Sequence, residues 1–218
     1  NRQLLAGELG EAILRLELSA EDEPIDVTRL IFTNSGVNTM SINRLNLYKD
    51  GAITPFASAT RDRCNSISLD INRNSFCAVM QSQQLVVPEG NRIDILIRPQ
   101  MKSDEEGVVQ SNTGAIQIIV LPVSVSVGPG TTNLSAQTGS VTARGFESSN
   151  ILVSPDIDDI REGEVFVGTR TPGREQVIVG NRNDIVLAKI VSIEDVNTAA
   201  DGTQVPIGSN KTIAEFRF

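Results

Sequence analysis

The chain of 218 residues contains no histidine and no tryptophan, and it has one tyrosine and seven phenylalanines. Histidine is the side chain whose unperturbed pKa lies near neutrality, so its absence excludes Ser/His/Asp triads, Cys/His pairs and most zinc sites. Catalysis by paired carboxylates or by a lysine stays open, but the sequence has no phosphate-binding loop and no cysteine cluster. We therefore expect a protein that is not an enzyme and has no cofactor, calcium excepted.

Basic residues are also scarce, with 19 Lys and Arg against 27 Asp and Glu and a formal net charge of −8. Nucleic acids and anionic membranes attract basic surfaces, so neither is an expected partner. No segment approaches the roughly 20 apolar residues of a membrane span. A start at Asn1 fits a processed, secreted chain or a fragment of a longer protein. We expect an extracellular or cell-surface location, with which glycosylation triplets at Asn133 and Asn210 are compatible.

The two cysteines of the chain, Cys64 and Cys77, enclose the stretch CNSISLDINRNSFC. We interpret this stretch as a hairpin that turns at Asn72-Arg73-Asn74 and returns Cys77 to the vicinity of Cys64. In an oxidising compartment a disulfide between them would stabilise the fold by about 3 kcal/mol. Two buried free thiols are the alternative.

Apolar and polar residues alternate over most of residues 1–147. In the segment LRLELS, for example, Leu14, Leu16 and Leu18 share one face, a period of two that is typical of a half-buried strand. Lys49-Asp50-Gly51 predicts a hairpin turn into a strand at Ala52–Phe56, and Pro88-Glu89-Gly90 predicts a second turn. Short strands about ten residues apart, separated by Gly, Pro and Asn, indicate an all-β fold with an antiparallel sandwich.

The last third of the chain has a different character. Residues 148–175 are acidic and interrupted by Pro and Gly, which predicts a linker. After it, Gln176–Gly180 matches Gln3–Gly7 without a gap, an internal echo of the chain's beginning. We interpret 176–218 as a partial second β repeat or a strand-donating segment, with chance similarity as the alternative.

Large apolar side chains lie near both ends of the chain: Leu14, Leu16 and Leu18 in one strand, and Ile213, Phe216 and Phe218 in the other. Terminal residues fray unless something holds them, and two or three strands cannot bury a face alone. We expect these strands to join copies of the chain by strand donation. Pairing of 212–218 with the chain's own sheet, or further domains after it, is the alternative.

Oxygen donors suited to calcium occur in two acidic segments, at Asp156, Asp158 and Asp159 and at Asp195, Asn197 and Asp201. A solvated linker and a solvated turn are the alternative interpretations, since neither segment has the full ligand spacing of an EF-hand loop.

Three passages, Ile25–Gly36, Ile42–Gly51 and Leu85–Ile97, together resemble Ig-like repeats of bacterial cell-surface proteins, both surface-layer-like and filament-forming chains. In that family a strand ending in Phe-Thr-x-Ser-Gly leads to a Leu-Tyr-x-Asp-Gly hairpin, and a Val/Ile-Pro-x-Gly turn follows later. The resemblance covers about Leu14 to Val120. It implies an Ig-like antiparallel β-sandwich with a structural or adhesive role, and it transfers no catalytic residue.

Two classes of function follow from these observations. The first is a structural subunit that assembles with copies of itself into a filament or surface layer. The second is an adhesin or a carbohydrate-binding sandwich. Sugar sites usually display aromatic platforms, and only 4% of this chain is aromatic, which favours assembly. A virion or phage-tail structural protein is a third possibility.

The cysteine spacing gives a first testable prediction. Intact-mass measurement of freshly isolated, unreduced protein should give the mass of the chain less two hydrogens, because Cys64 and Cys77 are expected to be joined. Labelling of both thiols without prior reduction would contradict the disulfide.

Overall fold

The computed structural model describes residues 2–36, 39–65, 74–103, 115–120, 140–153 and 177–186. Within these ranges the regular structure is nearly all strand, with one short helix, α1 at Arg61–Asn65, and one 3-10 turn at Thr39–Ser41. The predicted all-β sandwich is confirmed at this level. Among the described residues, no helix has the length and apolar character needed to cross a membrane.

Twelve strands are present in the described part of the chain. In chain order they are β1 Arg2–Leu5, β2 Leu14–Ser19, β3 Ile25–Asn34, β4 Ile42–Lys49, β5 Ala57–Ala59, β6 Ser75–Val79, β7 Val86–Val87, β8 Arg92–Met101, β9 Ala115–Val120, β10 Val141–Gly145, β11 Ile151–Val153 and β12 Ile178–Val186.

The first sheet is organised around β3. Its strand order is β1-β12-β9-β3-β10-β11, and β6 and β7 also pair with β3. The registers of β10 and β6 overlap at Arg29 and Leu30, so these two strands lie on opposite edges of β3. β9 pairs with Thr33, which also pairs with β6, so β9 lies on the edge of β3 that β10 occupies. β7 pairs with Ile25 and Asp26, which also pair with β10, so β7 lies on the edge that β6 occupies. The ten-residue β3 therefore has neighbours along both edges.

The second sheet has the order β2-β8-β4-β5 and is antiparallel throughout. In β8 the inward side chains, such as Ile95 and Ile97, are fully buried, and the intervening residues are half-exposed. The expected alternation of β2 is confirmed, because Leu14 and Leu16 are buried and Arg15 is exposed.

Charged side chains pair across β2 and β8 on the outer face of this sheet. Arg15 Nη2 donates to Asp94 Oδ2 at 2.5 Å, and Arg92 Nη1 lies 3.1 Å from Glu17 Oε1. Glu17 and Asp94 are directly opposite each other, so each carboxylate is compensated by a diagonal arginine. The hydrogen bond from Arg15 lowers the pKa of Asp94.

The core lies between the two sheets. Its largest fully buried side chains come from both, and include Phe32, Phe76, Leu45, Leu47, Ile95 and Ile97. Burial of each such side chain contributes on the order of 1.5–3 kcal/mol.

Backbone hydrogen bonds also connect the two sheets at their sides. On one side Ile13 N donates to Ile97 O at 2.9 Å, and Ile13 O accepts from Asn181 N at 2.8 Å. A Cβ on Gly180 would lie 2.7 Å from the carbonyl oxygens of both Ile13 and Ile118, so only glycine permits this approach. On the other side Thr60 pairs with Cys77.

Both predicted turns are confirmed. Gly51 has φ +77° in the first turn, where Ala52 N donates to Lys49 O, and Gly90 has φ +65° in the second. The strand after the first turn is Ala57–Ala59 rather than the predicted Ala52–Phe56. One physical reason is Pro55, which has no N–H to donate to a ladder.

Two strands from the later part of the chain, β11 and β12, belong to the same sandwich. β11 falls within the predicted linker 148–175, and β12 falls within 176–218, yet β12 pairs between β1 and β9 in the first sheet. The described part of the C-terminal segment is therefore an internal strand of the sandwich. Residues 187–218 lie outside the described part.

The second testable prediction compares two isoleucines. Ile97→Ala should destabilise the protein by about 2–5 kcal/mol, because it leaves a cavity between the sheets at a fully buried position. Ile53→Ala, at a side chain that is 95% exposed, should change the stability by less than about 0.5 kcal/mol. Urea denaturation gives both values, and equal effects would contradict the burial of Ile97 between the sheets.

Candidate functional site

A groove of about 450 Å³ opens where β5 and β6 separate at the side of the sandwich. Its walls come from β4, β5, α1 and the segment that follows β6. The lining residues are Arg44, Asn46, Pro55, Phe56, Ala57, Ser58, Arg63, Val79, Gln81 and Gln84. The volume lies in the range typical of small-molecule sites.

The groove exists because β5 and β6 share a single backbone pair. Thr60 N donates to Cys77 O at 3.1 Å, and Cys77 N donates to Thr60 O at 3.0 Å. Beyond this pair the strands diverge, and Arg63 Nη1 donates to the carbonyls of Ser58 and Val79, at 3.3 Å each. The guanidinium thus spans the gap between the two strands.

A second side chain completes the cover of this edge, since Gln84 Nε2 donates to Phe56 O. The carbonyls of Phe56, Ser58 and Val79, which an added strand would need as acceptors, are therefore already bonded to side chains. Occupied edges of this kind resist pairing with another chain.

The segment after β6 is held in place by Asp26. Its Oδ2 accepts from Gln83 N at 2.8 Å and from the Ser82 hydroxyl at 3.4 Å. Gln83 has φ +64°, a conformation that a non-glycine residue adopts only with such support. Gln84 also accepts from Gln81 N at 2.8 Å, so this wall of the groove is fixed before any ligand binds.

The electrostatics of the groove differ from those of the chain as a whole. Among the described residues, two arginines, Arg44 and Arg63, line it and no acidic residue does, whereas the chain carries a net charge of −8. Within the described residues Arg44 forms no ion pair or hydrogen bond. Its guanidinium is therefore available to an anion.

Asn46 is the most buried polar residue of the groove. It follows Leu45 on β4, lies between Ser58 and Arg98 in the sheet, and is only 6% exposed. Its side-chain amide has no hydrogen-bond partner among the residues that the structure describes. The amide is not among the enclosed polar atoms that lack a partner, so it opens to the groove, where a ligand or a water molecule can bind it.

A different feature is the pair of open edges of the first sheet. In the described part of the chain, β1 pairs only with β12 and β11 pairs only with β10. Gly145 N donates to Asn150 O, so the backbone of Asn150 faces β10. Successive residues of a strand direct their N–H groups to opposite edges, so those of Ile151 and Val153 point away from β10. Ile151 is 61% exposed and nearby Phe146 is 50% exposed.

Glu23 holds the turn that leads into β11. Its carboxylate accepts from the Ser148 hydroxyl at 2.5 Å, from Ser148 N at 2.9 Å and from Glu147 N at 2.7 Å. These hydrogen bonds, the Ser148 hydroxyl first, lower the pKa of Glu23 below its ordinary value of 4.5. The carboxylate thereby fixes the direction in which the open edge leaves β10.

The predicted assembly residues are only partly described. Leu14 and Leu16 are buried in the core and Leu18 is partly buried against it, on a strand already paired with β8. Ile213, Phe216 and Phe218 lie outside the described residues.

The predicted calcium and glycosylation residues also lie outside them, at Asp156, Asp158, Asp159, Asp195, Asn197, Asp201, Asn133 and Asn210. Within the described ranges no group of three or more His, Cys, Asp or Glu side chains could hold a metal ion.

Most of the hairpin predicted between the two cysteines falls on residues outside the described part of the chain. Cys64 belongs to α1, which follows directly after Thr60, the residue that pairs with Cys77. The Cys77 side chain is fully buried. Residues 66–73 and the Cys64 side chain are not described, so the disulfide stays a prediction.

Sequence reasoning missed the groove. Arg44 and Asn46 alternate with the buried Leu45 and Leu47, and this alternation alone could have placed them on one outer face. Nothing in the sequence indicated that Arg63 would span the space beside them.

Comparisons with protein-family models, with curated proteins and with solved structures give no match.

The third testable prediction concerns the pH dependence of the Glu23 contact. Because the folded-state pKa is lowered, the contact is intact at neutral pH and is lost as the pH falls through that pKa. The amide NMR signals of Glu147 and Ser148 should titrate with a midpoint below 4.5. Glu23→Gln should abolish this titration, and its persistence in the variant would assign the pKa to another group.

Proposed function

We propose that this chain is a non-catalytic extracellular structural subunit that assembles with copies of itself into a filament or a surface layer. The observation that carries the proposal is the pair of end strands, β1 and β11, each of which has one partner strand in the described part of the chain. Unpaired edges present rows of backbone donors and acceptors that can pair with another chain.

The two edges differ in sequence and in position, so their contact joins unlike surfaces of successive copies. Such head-to-tail contacts produce a ring when the rotation closes and an open filament when it does not. β11 of one copy would pair with β1 of the next, which extends the sheet through the assembly.

Apolar side chains beside β11 support the same interpretation. Ile151 and Phe146 expose half or more of their surface close to the open edge. Their burial against a second copy would add a hydrophobic contribution to the backbone hydrogen bonds. The Glu23 contact holds this region in one orientation, which lowers the entropy lost on association.

The donated strand has a second candidate in the C-terminal segment. Ile213, Phe216 and Phe218 follow a strand-like pattern, and the segment could add to an open edge of a neighbouring copy by β-augmentation. Edge-to-edge pairing and terminal strand donation predict different effects of removing this segment.

The extracellular location and the Ig-like relationship rest on the sequence. The acidic composition, the two cysteines and the resemblance to bacterial surface repeats support them. The adhesin alternative is favoured by one observation, the polar groove beside β5.

The fourth testable prediction examines the β11 edge. Ile151→Pro removes an N–H that points away from β10, so the internal ladder should remain and assembly should fall by at least about tenfold in apparent affinity. Ile151→Val, which keeps the N–H, is the matched control. Light scattering during size-exclusion chromatography measures both, and equal assembly of the two variants would exclude β11 as the contact.

Removal of Lys211–Phe218 distinguishes edge pairing between β11 and β1 from donation of the C-terminal strand. Loss of polymers from a folded monomer would assign the donated strand to the C-terminus, whereas unchanged polymers would support pairing between β11 and β1. A wild-type chain that stays monomeric at high protein concentration would contradict the proposed function.

A further inference from the structure

The groove beside β5 has properties that assembly through β1 and β11 does not use. It contains the Asn46 amide and the Arg44 guanidinium, which form no hydrogen bond within the described part of the chain, and a wall that is fixed by internal hydrogen bonds. From these observations we propose that the groove is a binding site for a saccharide that carries an acid group, either a carboxylate or a sulfate ester.

The acid group is inferred from charge. Within the described part of the chain, Arg44 lines the groove without any ion pair or hydrogen bond of its own, and no acidic residue is part of the lining. A guanidinium offers two parallel N–H donors to an oxyanion, which is the geometry of the strong bidentate pairs. Arg63 adds a second positive charge, although its Nη1 is engaged with Ser58 and Val79.

The saccharide is inferred from the remaining polar groups. The Asn46 amide offers both a donor and an acceptor, and the Gln81 amide at the opposite wall offers the same. A hydroxyl group also donates and accepts, so neighbouring amides of this kind suit a molecule with several hydroxyls. Phe56 also lines the groove, but its ring packs against the core and lies under Lys49 Nζ, 5.9 Å from the ring centroid, so the polar groups carry the recognition.

A peptide strand is disfavoured as the occupant of this groove. Strand addition requires free backbone groups along an edge, and the carbonyls of Phe56, Ser58 and Val79 already accept side-chain hydrogen bonds. A ligand that binds through its own hydroxyls and acid group needs none of these carbonyls. The groove and the open edges therefore suit different partners.

The positions of Arg44 and Asn46 on β4 allow both side chains to bind the same ligand. Asn46 and Arg44 are two residues apart on one strand, so both project from the same face of the second sheet. The partly buried Asn46 would bind a hydroxyl at the base of the groove, while the exposed Arg44 would bind the acid group at its rim.

Titration of the full-length, ¹⁵N-labelled chain with galacturonate, galactose 6-sulfate and galactose tests the proposal. The side-chain amide signals of Asn46 and Gln81 should shift and saturate with at least one of the acidic sugars. Its affinity should exceed that of galactose on the order of tenfold, the value of one charge-assisted contact. A response to only one acidic sugar would identify the acid group.

Two arginine variants provide the matched comparison. Arg44→Gln should abolish the roughly tenfold preference for the acidic sugar and leave the galactose affinity unchanged. Arg92→Gln makes the same charge change on the same sheet, outside the groove, and should leave the preference intact.

Three results would overturn the proposal: no saturable shift of Asn46, equal affinity for galactose and the acidic sugars, or an equal loss in Arg92→Gln. Polymer size, measured on the same samples, reports on assembly separately. Failure of sugar binding is thereby distinguished from failure of the proposed structural role.

Discussion

The pairing of β3 along both of its edges is the constraint on which the rest of this structure depends. Four strands take their register from it, and all four are distant in sequence. Because Leu30 and Phe32 point into the core from the same strand, loss of this pairing would disrupt both the sheet and the packing between the sheets. The two end strands of this sheet, β1 and β11, lie farthest along the strand order from β3, and each has one partner strand in the described part of the chain.

The sides of the sandwich are closed by three different devices. Backbone hydrogen bonds join Ile13 to Asn181 on one side and Thr60 to Cys77 on the other, and Arg63 spans the gap where β5 and β6 part. The ends of the first sheet have no such device in the described part of the chain. This contrast separates two kinds of surface: edges that offer backbone groups to a second copy, and a groove whose backbone groups are already bonded.

Two equally buried polar residues differ in the hydrogen bonds that their side chains form. Asp26 and Asn46 are both 6% exposed. Asp26 accepts hydrogen bonds from Ser82 and Gln83 and so determines the path of the segment after β6. Asn46 has no corresponding partner in the described residues, and its amide faces a groove.

The sequence by itself determined the class of fold and much of its local structure. Period-two alternation identified strands such as β2, and glycines at Gly51 and Gly90 identified turns, because both signals depend on neighbouring residues alone. Tertiary structure decided what depends on distant residues: the place of β12 inside the first sheet, and the contact of Arg63 with Ser58 and Val79. The groove at Arg44 and Asn46 belongs to this second kind, because its walls come from segments that meet only when the sheets pack.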